Sequence, residues 1–113
     1  MENEKRKSLR INSLNLSYIG INEDNEIVRQ AIGRTLNVSE SGILLETHFP
    51  IESKQIVSLS LALEDDLINM TGEVVYSRPG DDEKFETGIK FINLDNDTQK
   101  VLKVFIKEFR TQV

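Results

Sequence analysis

The chain has no cysteine and no tryptophan, only two prolines, and a single histidine in 113 residues. Without cysteine there is neither a disulfide framework nor a thiolate metal site, which fits a reducing compartment and makes the cytoplasm the expected location. No stretch approaches the roughly 18 apolar residues needed to span a bilayer. The charged start, "MENEKRKSLR", runs into "INSLNLSYIG", which alternates where a signal peptide would be continuously apolar. His48 has no nucleophile to serve and reads as a surface or strand-end residue. The acidic clusters Glu64 to Asp66 and Asp81 to Glu83 lack the ligand spacing of a calcium loop and read as turns. No nucleophile, base and orienting group can be assembled, so no enzyme is expected, and neither a metal nor a cofactor. With net charge −5 and seven aromatics, the chain also lacks the basic groove and stacking residues of a barrel that binds single-stranded nucleic acid.

What is present is the make-up of one globular domain, 38% hydrophobic and 29% charged, long enough to bury a real core. Leu14, Leu16 and Tyr18 alternate with Asn15, Ser17 and Ile19, the two-residue period of a half-buried strand. After the polar "NEDNE" a second strand is expected over 27–36. Further strands are expected at 43–47, at 55–63 with Val57, Leu59, Leu61 and Leu63 on one face, at 67–78 and at 85–93. Pro50 closes the third, and Pro79 with Gly80 forms a strong turn. Gly72, in the middle of the fifth, predicts a bulge or bend. Six strands at short spacing are the pattern of an antiparallel sandwich or barrel.

The period then changes. From Val101, Leu102, Phe105, Ile106, Phe109 and Val113 fall on one helical arc, with Lys100, Lys103, Lys107 and Arg110 opposite. This predicts an amphipathic helix over about 96–112, capped by Asp95 to Asp97, lying on an open face of the sheet structure. The initial Met and this terminal helix favour a complete protein.

Charge is unevenly placed. Residues 1 to 10 carry four basic and two acidic side chains, a net of +2, which leaves −7 for the rest. A compact cation on an acidic protein suits a small anion or one acidic surface and not a polyanion. Within it, Arg6 and Arg10 have RxxxR spacing. Downstream, "NVSESG" places Asn37, Ser39 and Gly42 in an [D/N]xSxxG pattern between two strands, where Asn and Ser hold turns and Gly permits close approach.

These two motifs, in this order and 27 residues apart, resemble those of the PilZ domain, the bacterial receptor module for the second messenger cyclic di-GMP. The likeness extends through "GILLE", "TGEVVYSR" and "TGIKFIN", with Gly72, Val74, Tyr76, Gly88 and Phe91 at the family's usual Gly, Val, aromatic, Gly and Phe. The resemblance implies a mainly β fold: a six-stranded antiparallel β-barrel over 13–113 with a C-terminal helix, preceded by a basic arm over 1–12. It also implies cyclic di-GMP as ligand, with Arg6 and Arg10 clasping phosphate and guanine and Asn37, Ser39 and Gly42 forming the barrel-side contact. Lys5, directly before the first arginine, leans towards a stacked ligand pair and a ligand-mediated dimer. Asn37 departs from the family's commoner Asp and lacks its charge. Arg34, Arg78 and Lys90 are further cations that would border a groove. Arginine suits such a ligand because its planar fork bonds phosphate oxygens in pairs, bonds guanine O6 and N7 together, and stacks on a base. The expected function is therefore second-messenger signal transduction through a protein effector, in motility, secretion or polysaccharide and biofilm control. The rival is a PilZ-fold interaction module that does not bind the nucleotide.

Overall fold

The computed structural model describes residues 16–24, 26–63 and 66–111. Six antiparallel strands follow in chain order: β1 (Leu16–Glu23), β2 (Glu26–Val38), β3 (Gly42–Thr47), β4 (Ile56–Leu63), β5 (Asp66–Pro79) and β6 (Phe85–Ile92), then the helix α1 (Asn96–Thr111). They close into a barrel in the order β1-β2-β3-β6-β5-β4. The barrel expectation holds, and β3 to β6 end within a residue or two of the expected bounds; β1 runs on to Glu23 and β2 is three residues longer than expected, so Asn22, Glu23 and Glu26 of the expected NEDNE turn belong to strands. The expected arm, 1–12, lies outside the described residues.

Alternation builds the interior. Ile43 and Leu45 of β3, Val57, Leu59 and Leu61 of β4, Ile68, Met70 and Val74 of β5, and Ile89 of β6 all point inwards and are buried. Of the β1 alternation, Leu14 and the Leu16 side chain lie outside the described residues. Tyr18 is exposed, whereas Ser17 and Ile19 are buried. Ser17 is accommodated because its Oγ lies 2.7 Å from Thr35 Oγ1, so each hydroxyl satisfies the other inside the barrel.

The Gly72 expectation is corrected. Its pairing runs unbroken, Val57 on one side and Phe91 on the other, so the strand neither bulges nor breaks there. It is glycine because of close packing: a Cβ would meet Ile89 Cγ2 at 2.5 Å and Lys90 O at 3.0 Å. The irregularities fall instead between Ile21 and Asn22, between Thr35 and Asn37, and between Val74 and Tyr76.

One end of the barrel is stoppered by α1, whose Leu102, Phe105 and Ile106 are buried with the strand residues and whose Phe109 packs against them. Phe105 is wholly buried, which contributes roughly 2–3 kcal/mol of hydrophobic stabilisation. Val113, expected on the same arc, lies outside the described residues. Asn93, with φ 55, turns the chain out of β6. Asp95 then caps the helix, its Oδ1 accepting from the Thr98 N–H at 2.7 Å. That bond holds the Asp95 carboxyl below the usual carboxylate range. Among the described residues no helix is long and apolar enough to cross a membrane.

Candidate ligand-binding site

The NVSESG segment leaves β2 and enters β3 at the end of the barrel where α1 sits. Its geometry starts from a bulge. Thr35 pairs with Leu45, but Asn37 pairs with Leu44, so Leu36 is an extra residue in β2. Ala31, Gly33 and Thr35 alternate towards the interior, and an unbroken strand would aim Asn37 inwards as well. The bulge reverses the alternation, so Val38 is buried and Asn37 is exposed on the outer surface.

The loop is held by its own bonds. Asn37 Oδ1 accepts from the Val38 N–H at 2.9 Å, and the exposed side chain keeps its amide N–H groups accessible from outside. The Ser39 N–H donates to the Gly42 carbonyl at 2.9 Å. Ser39 Oγ accepts from the Ser41 N–H at 3.3 Å and lies 3.2 Å from Ser41 Oγ. The Ser41 carbonyl accepts from the Phe91 N–H at 2.9 Å, which ties the loop to β6. These bonds fix the backbone before any ligand arrives.

Gly42 has no positive φ; its requirement is spatial. A Cβ there would lie 2.5 Å from the Ile89 carbonyl oxygen and 3.3 Å from Lys90 Cα. Glycine therefore lets β3 start flush against β6, a closer reason than contact with a ligand.

The outer face beside the loop is arranged in cross-strand rows. Gly42 pairs with Lys90, and Lys90 with Glu73. In the next row Asn37 pairs with Leu44, Leu44 with Gly88, and Gly88 with Tyr76. A Cβ on Gly88 would strike the Tyr76 ring at 2.7 Å, so the ring covers the glycine and leaves an apolar strip beside Asn37. Further from the loop, Arg34 bonds Glu46 (Nε to Oε1, 3.1 Å) and Arg78 bonds Glu86 (3.2 Å). The Arg34 guanidinium holds the Glu46 carboxyl below its ordinary range, and Glu46 raises Arg34 in return. Arg34 and Arg78 are thus engaged by carboxylates away from the loop, whereas Lys90, 3.8 Å from Glu73, stands at the loop itself.

Of the expected site residues, Asn37, Ser39 and Gly42 are brought together in this one loop. Lys5, Arg6 and Arg10 lie outside the described residues. Sequence reasoning missed Arg110, which it grouped with the solvated lysines of α1; its guanidinium donates to the Val38 carbonyl at 3.3 Å. Only its place in the last helical turn hinted at a special role. A separate open cavity of about 560 Å3 lies on the outside of β1, lined by Tyr18, Gly20, Ile27, Ile32, Ser58 and Leu67 among others, and includes none of the loop residues. Among the described residues no group of three or more His, Asp or Glu side chains is placed to hold a metal.

Comparison with known proteins bears on the fold and the family. Among the solved structures that match, two show the likeness. A tetrameric PilZ-domain protein from Xanthomonas campestris, self-assembled via a helical bundle, has a TM-score of 0.58 at 16% identity, over 96% of this chain and 58% of that one. MrkH of K. pneumonia in its apo state has a TM-score of 0.60 at 18% identity, over 88% and 50%. At these identities the likeness is one of fold, and this chain spans 58% of the length of the first neighbour and 50% of the second. No curated protein matches. The PilZ domain family matches residues 4–108, which takes in both the RxxxR segment and the NVSESG loop. The chain therefore belongs to the PilZ domain family, a family of cyclic di-GMP receptor modules.

Proposed function

We propose that this chain is a receptor and adaptor that binds cyclic di-GMP through Arg6, Arg10, Asn37, Ser39 and Gly42, and signals by altered contacts with a protein partner. The observation that carries the reading is the loop from Asn37 to Gly42. A bulge aims Asn37 outwards, the loop backbone is bonded in advance, and an apolar strip under Tyr76 lies alongside. The outward Asn37 amide donates to a phosphate oxygen or to guanine O6 or N7, while the arginines clasp phosphate and base from the other side. Because Asn37 Oδ1 is already bonded to the backbone, it supplies donors where the family's commoner Asp supplies acceptors. Lys5 adds a positive charge that favours a second, stacked ligand and with it a shared dimer.

In this mechanism the basic segment closes over the nucleotide and its charge is neutralised, which changes the surface offered to an effector of motility, secretion or polysaccharide synthesis. No bond is made or broken, and the residues act by binding alone.

Calorimetric titration with cyclic di-GMP, with GTP as the control nucleotide, tests the reading. Saturable heat with cyclic di-GMP alone is expected, lost in Arg6→Ala and Arg10→Ala, and a stoichiometry near two per chain would favour the stacked pair. No heat at high protein concentration would reject nucleotide binding and leave the basic segment to a protein partner.

A further inference from the structure

The barrel side of the site is poor in positive charge. Asn37, Ser39 and Gly42 are neutral, the loop itself contains the exposed Glu40, and the whole chain carries −5. A ligand with two phosphates laid on this loop is held more firmly where cations on the barrel side add to those of the N-terminal segment.

Two cations from distant parts of the chain meet the two ends of the loop. At its start, Arg110 of α1 donates from one Nη to the Val38 carbonyl at 3.3 Å, across 72 residues of sequence. At its end, Lys90 of β6 stands directly opposite Gly42. We propose that Arg110 and Lys90 are the barrel-side phosphate contacts of this site. The proposal rests on the reading that the site takes cyclic di-GMP.

The local chemistry supports both assignments. Arg110 spends one guanidinium N–H on Val38, and its planar fork has more N–H groups for bidentate bonding to phosphate. It stands in the last turn of α1, where the helix dipole favours a cation. Lys90 Nζ lies 3.8 Å from Glu73 Oε1, and both side chains are substantially exposed. Such a pair is weak, so the ammonium can turn from Glu73 to a phosphate oxygen of the ligand at little cost. The acidic groups that oppose these cations are Glu73 and Glu40, the first beside Lys90 and the second within the loop. Lys100, Lys103 and Lys107 are exposed along α1 and make no bond to the loop among the described residues.

The test is calorimetric titration of cyclic di-GMP into the full chain and into Arg110→Gln, Lys90→Gln, the double variant, Arg110→Lys and Lys103→Gln, at low and high salt. Each glutamine variant is expected to weaken binding about tenfold and the double about a hundredfold. The sensitivity to salt should shrink with each charge removed. Arg110→Lys should recover part of the loss, and Lys103→Gln should bind as the unaltered chain does. If Arg110→Gln and Lys90→Gln bind with unaltered affinity and salt dependence, the proposal fails and the receptor reading stands. Weakened binding with unchanged salt dependence would also overturn it, reducing Arg110 to a brace for the loop. An unaltered chain that does not bind cyclic di-GMP removes the receptor reading and the proposal together.

Discussion

Ser17 Oγ and Thr35 Oγ1 face each other at 2.7 Å inside the barrel, and both residues are almost wholly buried. A polar pair in an apolar interior is stable only while both members remain. Ser17→Ala alone strands the Thr35 hydroxyl and is expected to cost about 1–2 kcal/mol. Ser17→Ala with Thr35→Val should cost less than the two single changes added together. Urea unfolding of the four proteins closes the cycle, and simple additivity would show that the hydroxyls do not depend on one another.

Glycines 42 and 80 make a paired test of spatial need. A Cβ at Gly42 runs into the carbonyl of Ile89, which cannot move without shifting β6, whereas one at Gly80 meets only the flexible Glu86 side chain at 3.0 Å. Gly42→Ala should lower stability by roughly 1–3 kcal/mol and weaken cyclic di-GMP binding through displacement of the loop. Gly80→Ala should leave both near their starting values. Equal unfolding midpoints for the two variants would refute this account of Gly42.

Phe105 fills the barrel end while Phe109, stacked on it with ring centroids 6.2 Å apart, is half-buried. Phe105→Ala is expected to cost about 3–5 kcal/mol, and Phe109→Ala distinctly less. Chemical denaturation ranks them; the reverse order would mean that α1 seats differently.

Acid should act on stability through Asp95 and Glu46, both held below the ordinary carboxylate range. A depressed folded-state value means that the carboxylate contributes stability above its unfolded value. That contribution fades as pH falls through the folded value, in the region below about pH 4. Melting temperature followed from pH 6 down to pH 2.5 should therefore decline most steeply at the acid end. Asp95→Asn keeps a capping oxygen without the charge and should flatten part of that decline, while Asp95→Ala should lower Tm by roughly 5 °C even at neutral pH. An Asp95→Asn profile that parallels the unaltered chain would show that the cap's charge is not involved.

Most of the barrel could be read from the chain because alternation is a direct imprint of the pleat. Val57, Leu59 and Leu61 face inwards as their spacing predicts, and Leu102, Phe105 and Ile106 do so at helical spacing. Tyr18 misled because a buried hydroxyl pair made Ser17 an interior residue, and no local pattern announces a partner 18 positions away. Gly72 misled for a related reason, since glycine marks both a bend and a tight approach, and only the position of Ile89 separates the two. The loop motif was visible as a string of residue types, but the extra Leu36 that aims Asn37 outwards was not. A bulge is a relation between two strands, and it is Leu44 across from Asn37 that reveals it. Arg110 was hidden by its company among solvated lysines, because its carbonyl partner lies 72 residues away.

The β1–β4 seam, where Ser17 to Ile21 pair with Leu61 to Val57, has a consequence for when the protein becomes competent. Those pairings join segments 36 to 44 residues apart, and the β3–β6 pairings join segments 38 to 48 apart, so the cylinder cannot shut until both long-range seams have formed. The β2–β3 hairpin with its NVSESG loop is local and can form earlier. Arg10 precedes Leu16, the first residue of the seam strand, by only six positions. The basic segment is thus tethered to one of the two long-range seams that close the barrel. A partly assembled chain already has the loop, yet it lacks a fixed anchor from which the arginines are delivered. On the receptor reading, the two halves of the site would come together only in a chain whose barrel is whole.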